Sequence, residues 1–238
     1  DPPHQRSAFW TPVSITKRKD GTAGLFPHIF LDRAKPGLIA VNAGGQRFVN
    51  EAASYHDFVE AMYRSHENVA TIPAWLVCDS YFVQKYGIGT IYPGTKNLQK
   101  FAKAGYVRIA DTISNLAKSI GISGTELENT IMRHNEFASN GIDLDFGKGD
   151  LELNRFNGDS DNRPNPCLRS IETAPFVAMP VWPAELGCSI GLKTNINGQV
   201  LDQNNENIAG LYACGNDMSS IMAGCYPGPG ITLGPAVV

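Results

Sequence analysis

Two stretches of the chain hold residue types that can do chemistry. The first runs Gly45-Gln46-Arg47-Phe48-Val49-Asn50-Glu51-Ala52-Ala53-Ser54-Tyr55-His56-Asp57 and sets a phenol next to an imidazole. A phenol with a pKa of ~10 becomes a base only with help from a neighbour, whereas an imidazole titrates near neutrality and can shuttle a proton. The second runs Gly210-Leu211-Tyr212-Ala213-Cys214-Gly215-Asn216-Asp217 and continues to Tyr226-Pro227-Gly228-Pro229-Gly230-Ile231-Thr232-Leu233-Gly234-Pro235. Here an apolar segment ends at Gly215, with polar Asn216 and Asp217 at its tip. Ligands of open α/β sheets bind at the carboxyl ends of strands. Gly228 and Gly230 let the backbone approach a flat ring. Thr232 and Leu233 offer N–H groups at a helix start, whose positive end favours negative charge. The plainer alternatives are a Gly/Pro loop before a helix, tyrosines whose hydroxyls simply find a partner, and a His56 that lies on the surface or helps cap the next helix.

Together the two stretches resemble the flavoprotein family of fumarate reductases and 3-ketosteroid Δ1-dehydrogenases, and the chain between them is similar to that family's capping domain. The resemblance implies FAD as cofactor. Asn216, with Asp217 beside it, stands where the family often carries a Glu that holds ribityl hydroxyls. Gly215, Gly228, Ile231, Thr232 and Leu233 complete the implied cofactor set. The ketosteroid branch is the nearer one. Tyr55 occupies the place of its catalytic base, and Tyr226 with the Gly230 N–H would donate to the ketone oxygen. A second Tyr, from an N-terminal part absent here, would assist Tyr55. Fumarate reductases use an Arg in the first motif as proton donor, but none occurs between Asn50 and Tyr63. The second motif also lacks their His/Arg pattern. The implied substrate is a small apolar or steroid-like ketone, with an electron acceptor that the resemblance does not name. Reduction of an activated alkene is the enzymatic alternative, and a capping module without activity of its own is the other. No GxGxxG for the pyrophosphate occurs; Gly228-Pro229-Gly230 followed by Gly234 is one residue too widely spaced. The chain is therefore expected to be a C-terminal part of such an enzyme that does not retain FAD alone.

Bulk properties narrow the classes. The chain has 238 residues, 42% apolar and 18% charged, with a net charge of -3. That is ordinary globular composition, without the broad basic excess of a nucleic-acid surface. Lys17-Arg18-Lys19 is followed at once by Asp20. No apolar run approaches the ~20 residues that span a bilayer, and the first residues do not resemble a signal peptide. Five cysteines without CxxC spacing read as reduced core thiols of a cytoplasmic protein, with neither a metal site nor a disulfide framework.

The elements that must position these residues fall into a strand-rich, a helical and a second strand-rich stretch. The fold class expected is α+β, with residues 1–46 and 191–238 forming parts of a flavin-binding domain and 47–190 an inserted capping domain. Leu38–Asn42 reads as a strand followed by a Gly44-Gly45 turn, and Trp75–Cys78 as a buried strand. Asp111 is expected to cap a helix through Ile113, Leu116, Ala117 and Ile120 that stops at Gly121. Ser123 and Glu126 open a second helix in capping-box spacing, with Gly141 past its end. Residues 140–166 are polar and read as a long surface loop. Asn197-Gly198 signals a type I′ hairpin, and Tyr212 lies in an apolar strand expected in the core. His134 is expected to be structural, Arg47 a salt-bridge partner, and Asn50 and Glu51 braces of the first motif.

Overall fold

The computed structural model describes residues 8–18, 20–29, 32–226, 228, 230–231 and 233–237. It is a mixed α/β fold built on an antiparallel sheet. Two compact units are present. The larger is Pro12–Pro183, and the smaller joins the stretch ending at Thr11 to the stretch beginning at Ala184. Strands β1 (Ala8–Lys17) and β6 (Phe176–Cys188) belong to both.

The sheet runs in the order β2 (Ala23–Pro27), β1, β6, β4 (Ala74–Asp79), β3 (Leu38–Val41), and β5 (Arg108–Ala110) also pairs with β6. In β3, Leu38, Ile39, Ala40 and Val41 are all fully buried, so a continuous apolar run marks a strand covered on both faces. Period-2 alternation sends Ile39 and Val41 to one face, where β4 and β6 add Val77 and Ala178 in register. Leu116 and Ala117 of α4 (Ile113–Ile120) and Leu127 and Ile131 of α5 (Gly124–Asn140) complete that core. The two helices turn back on each other because Gly121, at φ 76°, ends the first in a left-handed residue and Ser123 Oγ accepts the Glu126 N–H of the second. Gly141, at φ 75°, ends α5 in the same way.

The cap of α4 is Thr112, not Asp111. Thr112 is extended and its Oγ1 accepts the Asn115 N–H at 3.2 Å, while Asp111 sits one residue too early to reach that donor. The stretch 140–166 is likewise no simple surface loop. It contains α6 (Glu152–Asn157), and Asp143, Lys148, Asn154 and Asn165 within it are buried. Asn165 donates to the carbonyls of Gly141 and Lys148 and accepts the Cys167 N–H. These polar side chains are buried because they satisfy backbone groups that have no ladder to join.

One five-residue turn occurs three times, at 42–46, 195–199 and 202–206. In each, the first residue's N–H donates to the fifth carbonyl and the fourth N–H donates to the first carbonyl. The first side chain, Asn42, Asn195 or Asp202, accepts the third and fifth N–H groups. The fourth residue is left-handed: Gly45 at φ 77°, Gly198 at 71° and Asn205 at 65°. The 195–199 turn is thus not type I′, because Asn197 is not among the positive-φ residues. It leads into β7 (Gln199–Leu201), which pairs with β8 (Asn207–Tyr212).

Tyr212 is not in a core. It is 62% exposed, and the other residues of β8 are exposed too, because a two-stranded ribbon supplies no second layer to bury an apolar run. Only two of the five cysteines, Cys78 and Cys167, are buried; Cys188, Cys214 and Cys225 are exposed and all five are unbridged. A small apolar side chain is buried only where its element is covered, and these three lie in strand ends and turns. Among the described residues no helix is long and apolar enough to cross a membrane.

Thr112→Ala should cost about 1 kcal/mol of stability, the usual loss for an N-cap, and Asp111→Ala far less. Urea denaturation of the two variants checks the assignment, and equal losses would contradict it.

Candidate active site

Tyr55 is the first residue of α1 (Tyr55–His66), and the Ser54 hydroxyl caps this helix by accepting the Asp57 N–H at 3.1 Å. Tyr55 is 3% exposed. His56 is also buried, with Nε2 3.3 Å from a Glu60 carboxylate oxygen. The loop leading to Tyr55 is braced by Asn50. Its Oδ1 accepts the Ala52 N–H, and its Nδ2 donates to the Gly147 carbonyl and to Asn154 Oδ1. Asn154 in turn donates to the Ala52 carbonyl at 2.9 Å.

Behind this loop lies a buried set of four charges. Arg47 donates in bidentate fashion to Glu51, at 2.8 and 2.9 Å, and to Asp143, at 2.9 and 2.8 Å. Lys148 Nζ stands 3.4 Å from Glu51 and donates to the Leu38 carbonyl at 2.7 Å, while Glu51 accepts the Ala40 N–H at 3.0 Å. The last two bonds satisfy the outer edge of β3, which ends the sheet. Burial pushes the Glu51 carboxyl up, but the charges of Arg47 and Lys148 outweigh it and hold the group at about 2. Burial, with Arg47 nearby, pulls the Lys148 ammonium down. His134 lies next to this set. Burial first, then the charges of Lys148 and Arg47, bring it to about 4. It is therefore neutral near pH 7, and its Nε2–H donates to the Arg169 carbonyl at 3.1 Å. Arg47, Asn50, Glu51 and His134 thus serve the architecture around the motif.

A second network was not legible in the sequence. His28 Nδ1 lies 2.6 Å from an Asp32 carboxylate oxygen and its Nε2 lies 2.9 Å from Ser14 Oγ, which is 2.7 Å from the Tyr106 hydroxyl. Ser14 is 1% exposed, so this Ser–His–Asp order joins elements and offers no nucleophile to a substrate. Asp32 also accepts the Gly89 N–H, and the Tyr106 hydroxyl accepts the Thr90 N–H. Arg33 beside them donates to the carbonyls of His28, Ile29, Glu51 and Ala53. These bonds tie His28, Asp32 and Arg33 to Glu51, Ala53 and Gly89. Phe26, Tyr86, Ile88, Ile91 and Tyr92, with Asp32, line a cavity of about 250 Å³ in this unit. A larger groove of about 580 Å³, lined by Met132, Ile171 and Phe176 with Glu128, Glu136 and Glu172, holds none of the expected site residues.

Of the expected site residues, Tyr55 lies in the larger unit and all others lie in the smaller one. In the smaller unit, Gly215 at φ 60° starts a single 3-10 turn through Asp217, and Asn216 and Asp217 are exposed at its tip. The short helix α7 (Leu233–Val237) packs on this turn; a Cβ at Gly215 would lie 3.2 Å from Ala236. Gly215, Asn216 and Ile231 line one narrow cleft with Phe9. The Tyr226 ring meets Phe9 edge-on, with centroids 4.9 Å apart. Among the described residues, nothing lies within 4 Å of a Cβ built at Gly228 or Gly230. Thr232 lies outside the described residues. Among the described residues no group of three His, Cys, Asp or Glu could hold a metal ion.

The model of the FAD binding domain family matches residues 5–233. This chain belongs to that family. It is 37% identical to a 3-oxosteroid 1-dehydrogenase of Mycolicibacterium smegmatis over 87% of the chain and 37% of the relative. It is 36% identical to a 4-oxocyclohex-2-ene-1-carboxylate 5-dehydrogenase of Sinomonas cyclohexanicum over 96% of the chain and 39% of the relative. The crystal structure of a 3-ketosteroid Δ1-dehydrogenase from Sterolibacterium denitrificans, in complex with 1,4-androstadiene-3,17-dione, superposes with a TM-score of 0.88 at 38% identity, over 96% of the chain and 41% of that protein. The chain spans about two fifths of the length of these relatives. The family's cofactor is FAD, and these relatives are dehydrogenases.

Glu51→Gln should cost about 3–5 kcal/mol, because it leaves the buried Lys148 ammonium without its carboxylate and Arg47 with one of its two. The folded-state pKa of Glu51, at about 2, lies below its ordinary 4.5. Its stabilisation is therefore fully present above pH 4.5 and lost as the pH falls towards 2. Urea midpoints between pH 7 and 2 should fall in that window for the wild type and change less for Glu51→Gln.

Proposed function

We propose that this chain is the capping and C-terminal flavin-facing part of an FAD-dependent enzyme that desaturates a ring ketone, 3-ketosteroids being the model substrate. The observation that carries the reading is Tyr55, a buried phenol at the first position of α1, on a loop fixed from several sides. It stands in a chain 36–37% identical to dehydrogenases whose names pair dehydrogenation with an oxo group on a ring system. In this reading residues 47–190 cover the substrate, residues 1–46 and 191–238 complete the flavin-binding part, and a preceding segment supplies the pyrophosphate loop.

Tyr55 takes the proton from the carbon beside the ketone. The Tyr226 hydroxyl and the Gly230 N–H donate to the ketone oxygen and stabilise the charge that develops there. Gly215, Asn216, Asp217, Gly228, Ile231, Thr232 and Leu233 face the cofactor. FAD, when bound, supplies the two-electron acceptor for the hydrogen that leaves the neighbouring carbon. A fumarate-type reaction would need a cationic donor in the first motif, and Arg47 is committed to Glu51 and Asp143.

In the enzyme carrying this chain, Tyr55→Phe should lower turnover of a 3-ketosteroid by about 10²–10⁴-fold, the range of general base catalysis, with flavin content unchanged. Tyr226→Phe should lose about 10²-fold in rate and weaken substrate binding as well. Steady-state kinetics with 3-ketosteroid and with fumarate decide the matter; a Tyr55→Phe enzyme that keeps most of its activity, or ordinary rates of fumarate reduction, would end the reading.

A second expectation concerns the 238-residue chain alone. It lacks the loop whose N–H groups and helix dipole grip the pyrophosphate. It should therefore leave gel filtration colourless after incubation with FAD, and a yellow, stoichiometric complex would contradict this.

A further inference from the structure

We propose that the groove along α5 is a binding site for a small amphiphilic cation, an apolar ring or short alkyl body that carries an ammonium group. Among the described residues, none of those proposed for catalysis or for the flavin lines this groove, so the proposal does not depend on the reading of Tyr55.

The groove follows from the pattern of α5. Glu128, Met132 and Glu136 succeed one another at a spacing of four, and Ile131, Asn135 and Ser139 form a second row of the same spacing. Residues four apart are neighbours on a helix surface. Ile131 is buried in the core with Ile171 and Phe176, and Ile113 of α4 packs against the same cluster. These four side chains supply an apolar floor. Met132 stays 59% exposed, and its unbranched thioether adapts to irregular apolar shapes. Side-chain bonds join the two walls. Asn135 accepts the Ile171 N–H at 2.9 Å and donates to the Ile171 carbonyl at 3.3 Å. The next two N–H groups, of Glu172 and Thr173, donate to the buried Asp79 carboxylate at 3.2 and 3.0 Å. The stretch from 171 to 173 is thus held against α5 and the end of β4, and a preformed cleft binds with less ordering cost.

The volume sets the size of the occupant. About 580 Å³ lies in the range of small-molecule sites, whereas a stable protein partner needs roughly 20–30 residues a side. The charge sets its sign. Among the described residues, three carboxylates line the groove, Glu128, Glu136 and Glu172, and no Lys, Arg or His does. No ion pair among the described residues involves any of the three. The neighbouring cation on the helix, Arg133, gives its guanidinium to Asp145 at 2.8 and 3.1 Å and acts on Glu136 only from further off. From Glu128 to Glu136 the helix rises about 12 Å, which leaves room for a ring between the two acids. An apolar floor among uncompensated carboxylates favours an amine and repels an acid of the same body.

The test is a titration of the 238-residue chain carrying 13C-methyl methionine. Its five methionines include Met132, assigned by the signal lost in Met132→Leu, and the fully buried Met62 and Met179, which report on the fold. The probes are para-butylbenzylammonium, para-butylbenzoate and para-butylbenzyl alcohol, at low salt. The ammonium should shift the Met132 signal saturably and leave Met62 and Met179 in place. It should bind about tenfold more tightly than the carboxylate of the same body, as a few exposed ion pairs together provide. That preference should fall to about twofold or less in the triple variant Glu128→Gln, Glu136→Gln, Glu172→Gln, with the affinity for the alcohol unchanged. All three positions are exposed, and the Met62 and Met179 signals verify that the variant folds. Should it not fold, the wild-type preference should shrink likewise between about 0.01 and 1 M salt. Absence of a saturable Met132 shift with the ammonium, equal affinities for ammonium and carboxylate, or a preference that survives the triple substitution or high salt would overturn the proposal.

Discussion

The bonds that close the outer edge of β3 carry the rest of the larger unit. A buried edge strand leaves N–H and C=O groups that must be paired, and here the partners are an ammonium and a carboxylate in place of a further strand. Lys148 comes from the polar stretch after α5 and Glu51 from the loop before α1, so satisfying the edge also docks both segments on the sheet. Taking these ions out of water is expensive. The expense is met by making each ion serve several partners: Glu51 faces Arg47, Lys148 and a backbone N–H, and Asp143 faces Arg47 and the Lys148 N–H. Within this set two cations and two anions balance.

Arg33 illustrates the opposite solution. Four of its five N–H donors meet backbone carbonyls, and the charges of Asp32, Glu51 and Asp57 support the cation from further off. The two arginines lie close in sequence and share Glu51 as a partner, Arg47 through the carboxylate and Arg33 through the carbonyl. Both hold the loop that leads into α1.

How much of this was legible follows from where the partners lie. The strand at 38–41, the strand at 75–78 and the helices α4 and α5 announce themselves through local periodicity and left-handed glycines, and their burial matches. Arg47 and Glu51 are four residues apart, close enough for the pairing to be expected. Asp143 is 96 residues from Arg47, and Asn154 is 104 from Asn50. Nothing local distinguishes a polar residue destined for such a partner from one destined for water, so 140–166 reads as a surface loop. Arg33 is hidden for a different reason: backbone carbonyls are the same in every residue, so its partners leave no mark in the sequence. The cofactor residues follow from resemblance alone; the structure puts Gly215, Asn216 and Asp217 on one turn and Leu233 on the short helix beside it.

The turn at 42–46 constrains what this chain can become. Three different sequences build the same turn, so selection needs little more than an Asn or Asp at the first position and a Gly or Asn at the fourth. Its length is another matter. The first copy sits between β3 and Arg47, which bridges back to Val41. One residue more or fewer would turn Arg47 to the opposite face and strand two buried carboxylates. Lineages descending from this protein can rewrite the letters of that turn as long as the acceptor at its first position and the left-handed residue at its fourth are kept. A single insertion or deletion there cannot be neutral.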